Sequence, residues 1–190
     1  MYAERLEMRL FTGIAIPQAT AGQLQRLVDQ LRPVADFRWS PLSNFHITTQ
    51  FIGEWPEARL EELKHCLDDV RRPEPFRIAV RGLGWFPNPH QPRVLFAGVD
   101  GGQTLHDLAG DIHTALEGIG AILDARPYSP HLTLARIGAK ASLPGVRQAI
   151  AGLDTTDSGE FVADRFHLYL SSPEPAGAVY TQISHFPFAE

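Results

Sequence analysis

Between Arg9 and Ile16 the chain reads RLFTGIAI, an apolar run closed by Pro17, and such a run predicts a buried strand. From Thr20 onward the apolar period changes. Leu24, Leu27, Val28 and Leu31 form the stripe of an amphipathic helix, with Thr20 as its expected N-cap and Pro33 beyond its end. Phe37–Trp39 predicts a short strand and Asn44–Ile52 a longer one. A second helical stripe is Leu60, Leu63, Leu67 and Val70, opened by Pro56 and Glu57, and a third is Leu105, Leu108, Ile112 and Leu116. Leu143–Leu153 predicts a fourth, shorter helix. Further strands are expected at Phe76–Phe86 and Arg93–Val99, joined by the proline-rich PNPHQP, and at Leu132–Ile137. Phe161–Leu170 and Val179–Phe186 complete the set, separated by SSPEPAG. Paired strands between helices predict an α+β fold with largely antiparallel sheets, not a doubly wound parallel one. No P-loop is written in the chain, and no GxGxxG follows a strand.

Two of the expected strands carry the same short phrase. Residues 44–53 read NFHITTQFIG and residues 130–138 read PHLTLARIG, each with His-x-Thr, apolar neighbours and a glycine soon after. Side chains alternate faces along a strand. In the first copy His46, Thr48 and Gln50 share one face, and Phe45, Ile47, Thr49 and Phe51 share the other. In the second copy His131 and Thr133 oppose Leu132 and Leu134. Each strand therefore buries an apolar row and presents an imidazole beside a hydroxyl.

Two such strands across a cleft suit phosphodiester chemistry without a metal. Imidazole titrates near neutrality, so one ring can take a proton from a nucleophile while the other gives a proton to a leaving oxygen. Threonine hydroxyls on strands can donate to non-bridging phosphate oxygens. A 2′,3′-cyclic phosphate is a natural substrate, because opening its strained ring needs one acid and one base. The competing reading is a pair of ordinary strands whose imidazoles face solvent.

Bulk composition narrows the partners. The 190 residues suggest one domain, or one domain of two lobes, and 44 % hydrophobic residues suffice for an ordinary core. A net charge of −5 argues against a broad nucleic-acid-coating face but leaves room for one confined phosphate site. The single cysteine, Cys66, permits no intramolecular disulfide and no thiolate cluster, which fits a reducing, cytoplasmic location; its helical setting reads as structural. Glu4, Arg5, Glu7 and Arg9 interrupt the start of the chain, against a signal peptide, and no apolar run is long enough for a membrane span. His106 and His113 share a helix face with Asp111 nearby, but no third ligand stands at a recognisable metal spacing.

With its twin motifs, the opening RLFTGIAIP, FPNPHQPRVLFAGV in the middle, PYSPHLTLAR and the ending LYLSSPEPAGAVYTQISHFPF, the sequence resembles the 2H phosphoesterase superfamily. Within it the chain is similar to the bacterial and archaeal RNA 2′,3′-cyclic phosphodiesterases, also called 2′-5′ RNA ligases. The resemblance implies a bilobal, pseudo-twofold 2H phosphoesterase fold in which two largely antiparallel sheets line a central cleft with helices outside, one motif per lobe. It implies hydrolysis of RNA 2′,3′-cyclic phosphate ends to 2′-phosphomonoesters, with reversible 2′-5′ ligation in some members, needing no metal or cofactor; separately, a monomer is expected. By position His46 would be the proton donor, His131 the proton acceptor, and Thr48 and Thr133 the phosphate holders. Arg136 matches the arginine that closes the second motif, although strict alternation puts it opposite His131; a bulge would reconcile the two. Phe51 occupies the equivalent place in the first copy, where it either stacks on a base or packs in the core. Thr49 stands where the family usually has leucine, on the core row. Alternatives at this point are another cyclic phosphate or a 2′-5′ oligonucleotide as substrate, or a non-catalytic RNA-end binder.

Overall fold

The structure is a computed structural model describing residues 6–175 and 177–189. Glu4 and Arg5, which count against a signal peptide, and Ala176 in the SSPEPAG connection lie outside the described residues. In chain order the elements are β1 (Glu7–Ala15), α1 (Gln18–Leu31), β2 (Arg38–Trp39), β3 (His46–Pro56), α2 (Leu60–Asp68), β4 (Phe76–Phe86) and β5 (Val94–Asp100). Then follow α3 (Gly102–Gly118), β6 (His131–Arg136), α4 (Pro144–Ala151), β7 (Asp157–Ala163), β8 (Arg165–Glu174) and β9 (Gly177–Pro187). Short 3₁₀ turns at Arg32–Val34, Leu42–Asn44 and Glu57–Arg59 fill the connections.

The strands form two antiparallel sheets, one ordered β3-β1-β8-β9 and the other β2-β6-β5-β4-β7. The α+β, two-sheet expectation is met, with one His-x-Thr strand in each sheet. The helices cover the sheets crosswise. Helix α1 follows β1, yet Leu24, Leu27, Val28 and Leu31 pack with Val80, Leu95, Leu132 and Leu134 of the other sheet. Helix α3 follows β5, yet Leu105, Leu108, Ile112 and Leu116 pack with Leu10, Ile14, Ile47 and Phe166. Each sheet thus buries one face under helices contributed partly by the other half of the chain, which locks the two lobes together. The opposite faces line the cleft.

Three boundaries differ from the sequence reading. Helix α1 begins before Thr20, because the Pro17 carbonyl already accepts the Ala21 amide at 2.9 Å; Thr20 is buried within the first turns and caps nothing. The strand expected at Phe161–Leu170 is two strands in different sheets. Ala163 pairs with Phe76 and Arg165 with Pro187, so Asp164 alone makes the crossing. No glycine or proline marks that crossing, so hydrophobic period could not reveal it. Strand β3 also runs on to Pro56, past Gly53, whose φ of 82° lies where glycine is favoured.

Candidate active site

The two motifs are built the same way. His46 Nδ1 donates to the Asn44 carbonyl at 2.7 Å, and His131 Nδ1 donates to the Ser129 carbonyl at 2.8 Å. A carbonyl only accepts, so each neutral ring carries its proton on Nδ1 and leaves Nε2 as the basic nitrogen. In the first motif Nε2 accepts from the Thr48 hydroxyl at 3.0 Å. Strands β3 and β6 come within 8 Å (Cα–Cα) of each other, and a charge on His131 disfavours one on His46.

Both rings are walled by aromatic carbon. Phe11 lies 4.7 Å from His46 between centroids, with Tyr180 edge-on at 5.1 Å and Tyr169 at 5.8 Å. Phe86 and Phe96 stand edge-on to His131 at 4.9 and 5.5 Å. Burial therefore dominates the acid–base properties. It pushes His46 down to about 4, with a charge on His131 adding to the effect and the bond to Asn44 opposing it. Burial also lowers His131, helped by the Arg136 guanidinium and opposed by the bond to Ser129. These aromatic walls escaped the sequence reading, since they come from β1, β4, β5, β8 and β9 and share no local pattern with the motifs.

A glycine lets β1 and β3 approach closely beside His46. Gly13 pairs with Thr48 between β1 and β3, and a Cβ there would sit 2.7 Å from the Ile47 carbonyl oxygen and 3.5 Å from His46 Cδ2. A side chain there would collide with the backbone of β3 and push apart the two strands that carry Phe11 and His46.

Bulges decide Arg136 and Phe51. The β5–β6 register slips between Leu95, opposite Ala135, and Phe96, opposite Thr133. Leu134 and Ala135 are consequently both fully buried, alternation inverts, and Arg136 emerges exposed with its charge felt by His131. In β3 the register slips twice, around Thr49 and Ile52, and Phe51 leaves the apolar row expected of it. It is 57 % exposed, with its ring 6.1 Å from that of Phe11. Phe51 is thus not part of the buried core. Thr49 remains on the core row at 2 % exposure, and its hydroxyl shares a 2.7 Å hydrogen bond with Thr12 Oγ1. The polar group that replaces leucine there is satisfied by a second buried threonine.

Beside His46 a cavity of about 500 Å³ opens between Phe45, Tyr169, Tyr180 and Gln182. On the other side, the Tyr128 hydroxyl donates to the Thr48 carbonyl at 3.1 Å. His113 donates from Nδ1 to Gln50 Oε1 at 3.0 Å, and His106 stands edge-on to Tyr128, so these two helix histidines buttress β3 and the segment before β6. Among the described residues no group of three or more His, Cys, Asp or Glu side chains is placed to hold a metal ion. Cys66 donates to the Ala115 carbonyl at 3.2 Å, and burial raises its thiol, as suits a structural residue.

The sequence matches the family described as LigT like Phosphoesterase twice over, at residues 14–96 and 99–180, one match around each histidine motif. The chain belongs to the LigT-like phosphoesterase family. The phosphoesterase is 34% identical over 188 residues to an RNA 2′,3′-cyclic phosphodiesterase of Thermus thermophilus, covering 94% of this chain and 89% of that one. It is 33% identical over 161 residues to the enzyme of the same name from Aeropyrum pernix, covering 84% of this chain and 91% of the relative. A crystal structure of a Thermus thermophilus protein superposes with a TM-score of 0.81 at 30% identity over 95% of this chain and 98% of that one. Escherichia coli LigT complexed with 3′-AMP shares the fold, with a TM-score of 0.82 at 22% identity over 97% and 100% of the two chains. Among the described residues no helix is long and apolar enough to cross a membrane.

Proposed function

We propose that this phosphoesterase opens RNA 2′,3′-cyclic phosphate ends to 2′-phosphomonoesters with its two histidines as base and acid and with no metal. The observation that carries the reading is the matched tethering of the two rings. Each Nδ1 is spent on the carbonyl two residues upstream, so each Nε2 is left for proton transfer on adjoining strands.

In the reaction His131 Nε2 takes a proton from water as the water oxygen bonds to phosphorus. The P–O3′ bond breaks on the opposite side, and His46 Nε2–H gives its proton to O3′. A proton on His46 Nε2 releases the Thr48 hydroxyl from that nitrogen, so Thr48 and Thr133 donate to the non-bridging oxygens, and Arg136 balances their charge. His46 must be protonated for this role, although in the protein alone its ring is held at about 4. The phosphate supplies the missing stabilisation: an anion beside Nε2 opposes the effect of burial and draws a proton onto the ring. Phe51 offers an exposed aromatic face on which a base can stack. A 5′-hydroxyl in place of water would let the same acid and base form a 2′-5′ linkage.

The test is incubation of an RNA bearing a 2′,3′-cyclic phosphate with the protein and with His46→Ala and His131→Ala. The expected product keeps phosphate on O2′. Its formation survives EDTA, and its rate falls about 10²–10⁴-fold for each variant while RNA binding persists. Turnover retained by both variants, or a 3′-phosphate product, rejects the proposal. Tight binding with no turnover by the native protein would make it an RNA-end binder.

A further inference from the structure

Arg38 and Arg136 are directly opposite each other across the β2–β6 pair. Directly opposed residues share a face, and like charges there repel. The alternation settles which face. Trp39 pairs with the fully buried Ala135 and donates its Nε1–H to the Ala35 carbonyl at 3.2 Å, so this neighbouring pair points into the core. Arg38 and Arg136 therefore point out of the core, on the face that carries His131 and Thr133, and both are exposed. Among the described residues neither takes part in an ion pair. In a chain of net charge −5 this is not general basicity but a local, uncompensated pair of cations at the end of the strand that carries the second motif.

Arg136 already serves the reacting phosphate in the reading above, which leaves Arg38 unassigned. Arg136 lies on β6 itself and its charge reaches His131. Arg38 lies one strand further out, about 4.8 Å across the sheet and farther from the imidazoles. Resting on the RNA reading above, we infer that Arg38 forms a second anion subsite, which takes the internucleotide phosphodiester immediately upstream of the terminal cyclic phosphate. The planar guanidinium suits a bidentate grip on two phosphate oxygens, and an approaching diester relieves the repulsion between the two arginines. The subsite gives the phosphoesterase a preference for oligonucleotide ends over mononucleoside 2′,3′-cyclic phosphates.

The experiment compares kcat/KM for a mononucleoside cyclic phosphate and for a short oligonucleotide ending in the same nucleotide. The expected result is that Arg38→Gln lowers the oligonucleotide-to-mononucleotide ratio roughly tenfold. The slope of log affinity against log salt for the oligonucleotide should also fall by about 0.7, the share of one phosphate contact on a single strand. Arg38→Lys keeps the slope, because it keeps the charge. An unchanged ratio and slope in Arg38→Gln, or equal losses on both substrates, overturns the subsite. Where the native protein turns over neither substrate, it is the RNA reading that fails. Binding of a single-stranded oligonucleotide with a 2′-phosphate end then scores Arg38 by the same salt slope.

Discussion

The hydroxyl of Tyr128 donates to the backbone carbonyl of Thr48 across 3.1 Å, and so joins the segment before the second motif to the strand of the first. Burial raises the phenol, so it remains a donor through the working range of pH. This bond helps to hold the two motif strands at a fixed spacing. Tyr128→Phe removes it while keeping the ring against His106. The expected cost is about 1 kcal/mol of stability and a several-fold fall in kcat, with KM little changed. A rise in KM alone, measured by steady-state kinetics, would show that the bond does not align the pair.

Proton affinity is the second property open to measurement. Titration by NMR should find His46 near 4 and His131 below its ordinary 6.5 in the free protein, and inorganic phosphate should raise both. Because kcat/KM reports the free protein, it should peak between about 4 and 6.5, with kcat displaced to higher pH. Stability follows the same groups. Both folded values are depressed, so the unfolded chain binds more protons in that window. The contribution is intact above 6.5 and is lost as pH falls toward 4, on the order of 3 kcal/mol for His46. His46→Asn should flatten that part of the melting-temperature profile. A kcat/KM maximum above pH 7 would contradict the burial of the pair.

Phe51 separates substrate contact from packing. At 57 % exposure it holds little of the core together, so Phe51→Ala should leave the melting temperature nearly unchanged. If its ring stacks on a base, the variant should raise KM by about tenfold, the worth of one aromatic–base contact. Binding of a base-free ribose cyclic phosphate should be indifferent to it. Loss of stability without loss of affinity would return Phe51 to a structural role.

The buried threonine pair invites a double-mutant cycle. Thr12→Val leaves the Thr49 hydroxyl without its 2.7 Å partner, and Thr49→Val leaves Thr12 only a 3.5 Å contact with the Gln50 carbonyl. Each single change should cost about 1–3 kcal/mol, and the two together far less than their sum. Denaturant unfolding measures all four corners; simple additivity would mean that the hydroxyls act independently.

The chain's own pattern was enough for the α+β class, for most strands and helices, and for the face that each motif's histidine and threonine share. His46 and Thr48, like His131 and Thr133, follow from a period of two with one apolar face, and the doubled phrase follows from a doubled strand. These are local properties, because the face a side chain takes depends on its immediate neighbours. Only the tertiary structure decided where that period breaks. The slips opposite Leu95 and around Thr49 turned Arg136 and Phe51 outward, and they arise from the partner strand's register, which no stretch of β6 or β3 contains. The same holds for the crossing at Asp164, the exchange of α1 and α3 between sheets, and the aromatic walls that lower both imidazoles. Each depends on residues far apart in sequence meeting in space, and the proton affinity of a histidine is set by that company, not by its neighbours along the chain.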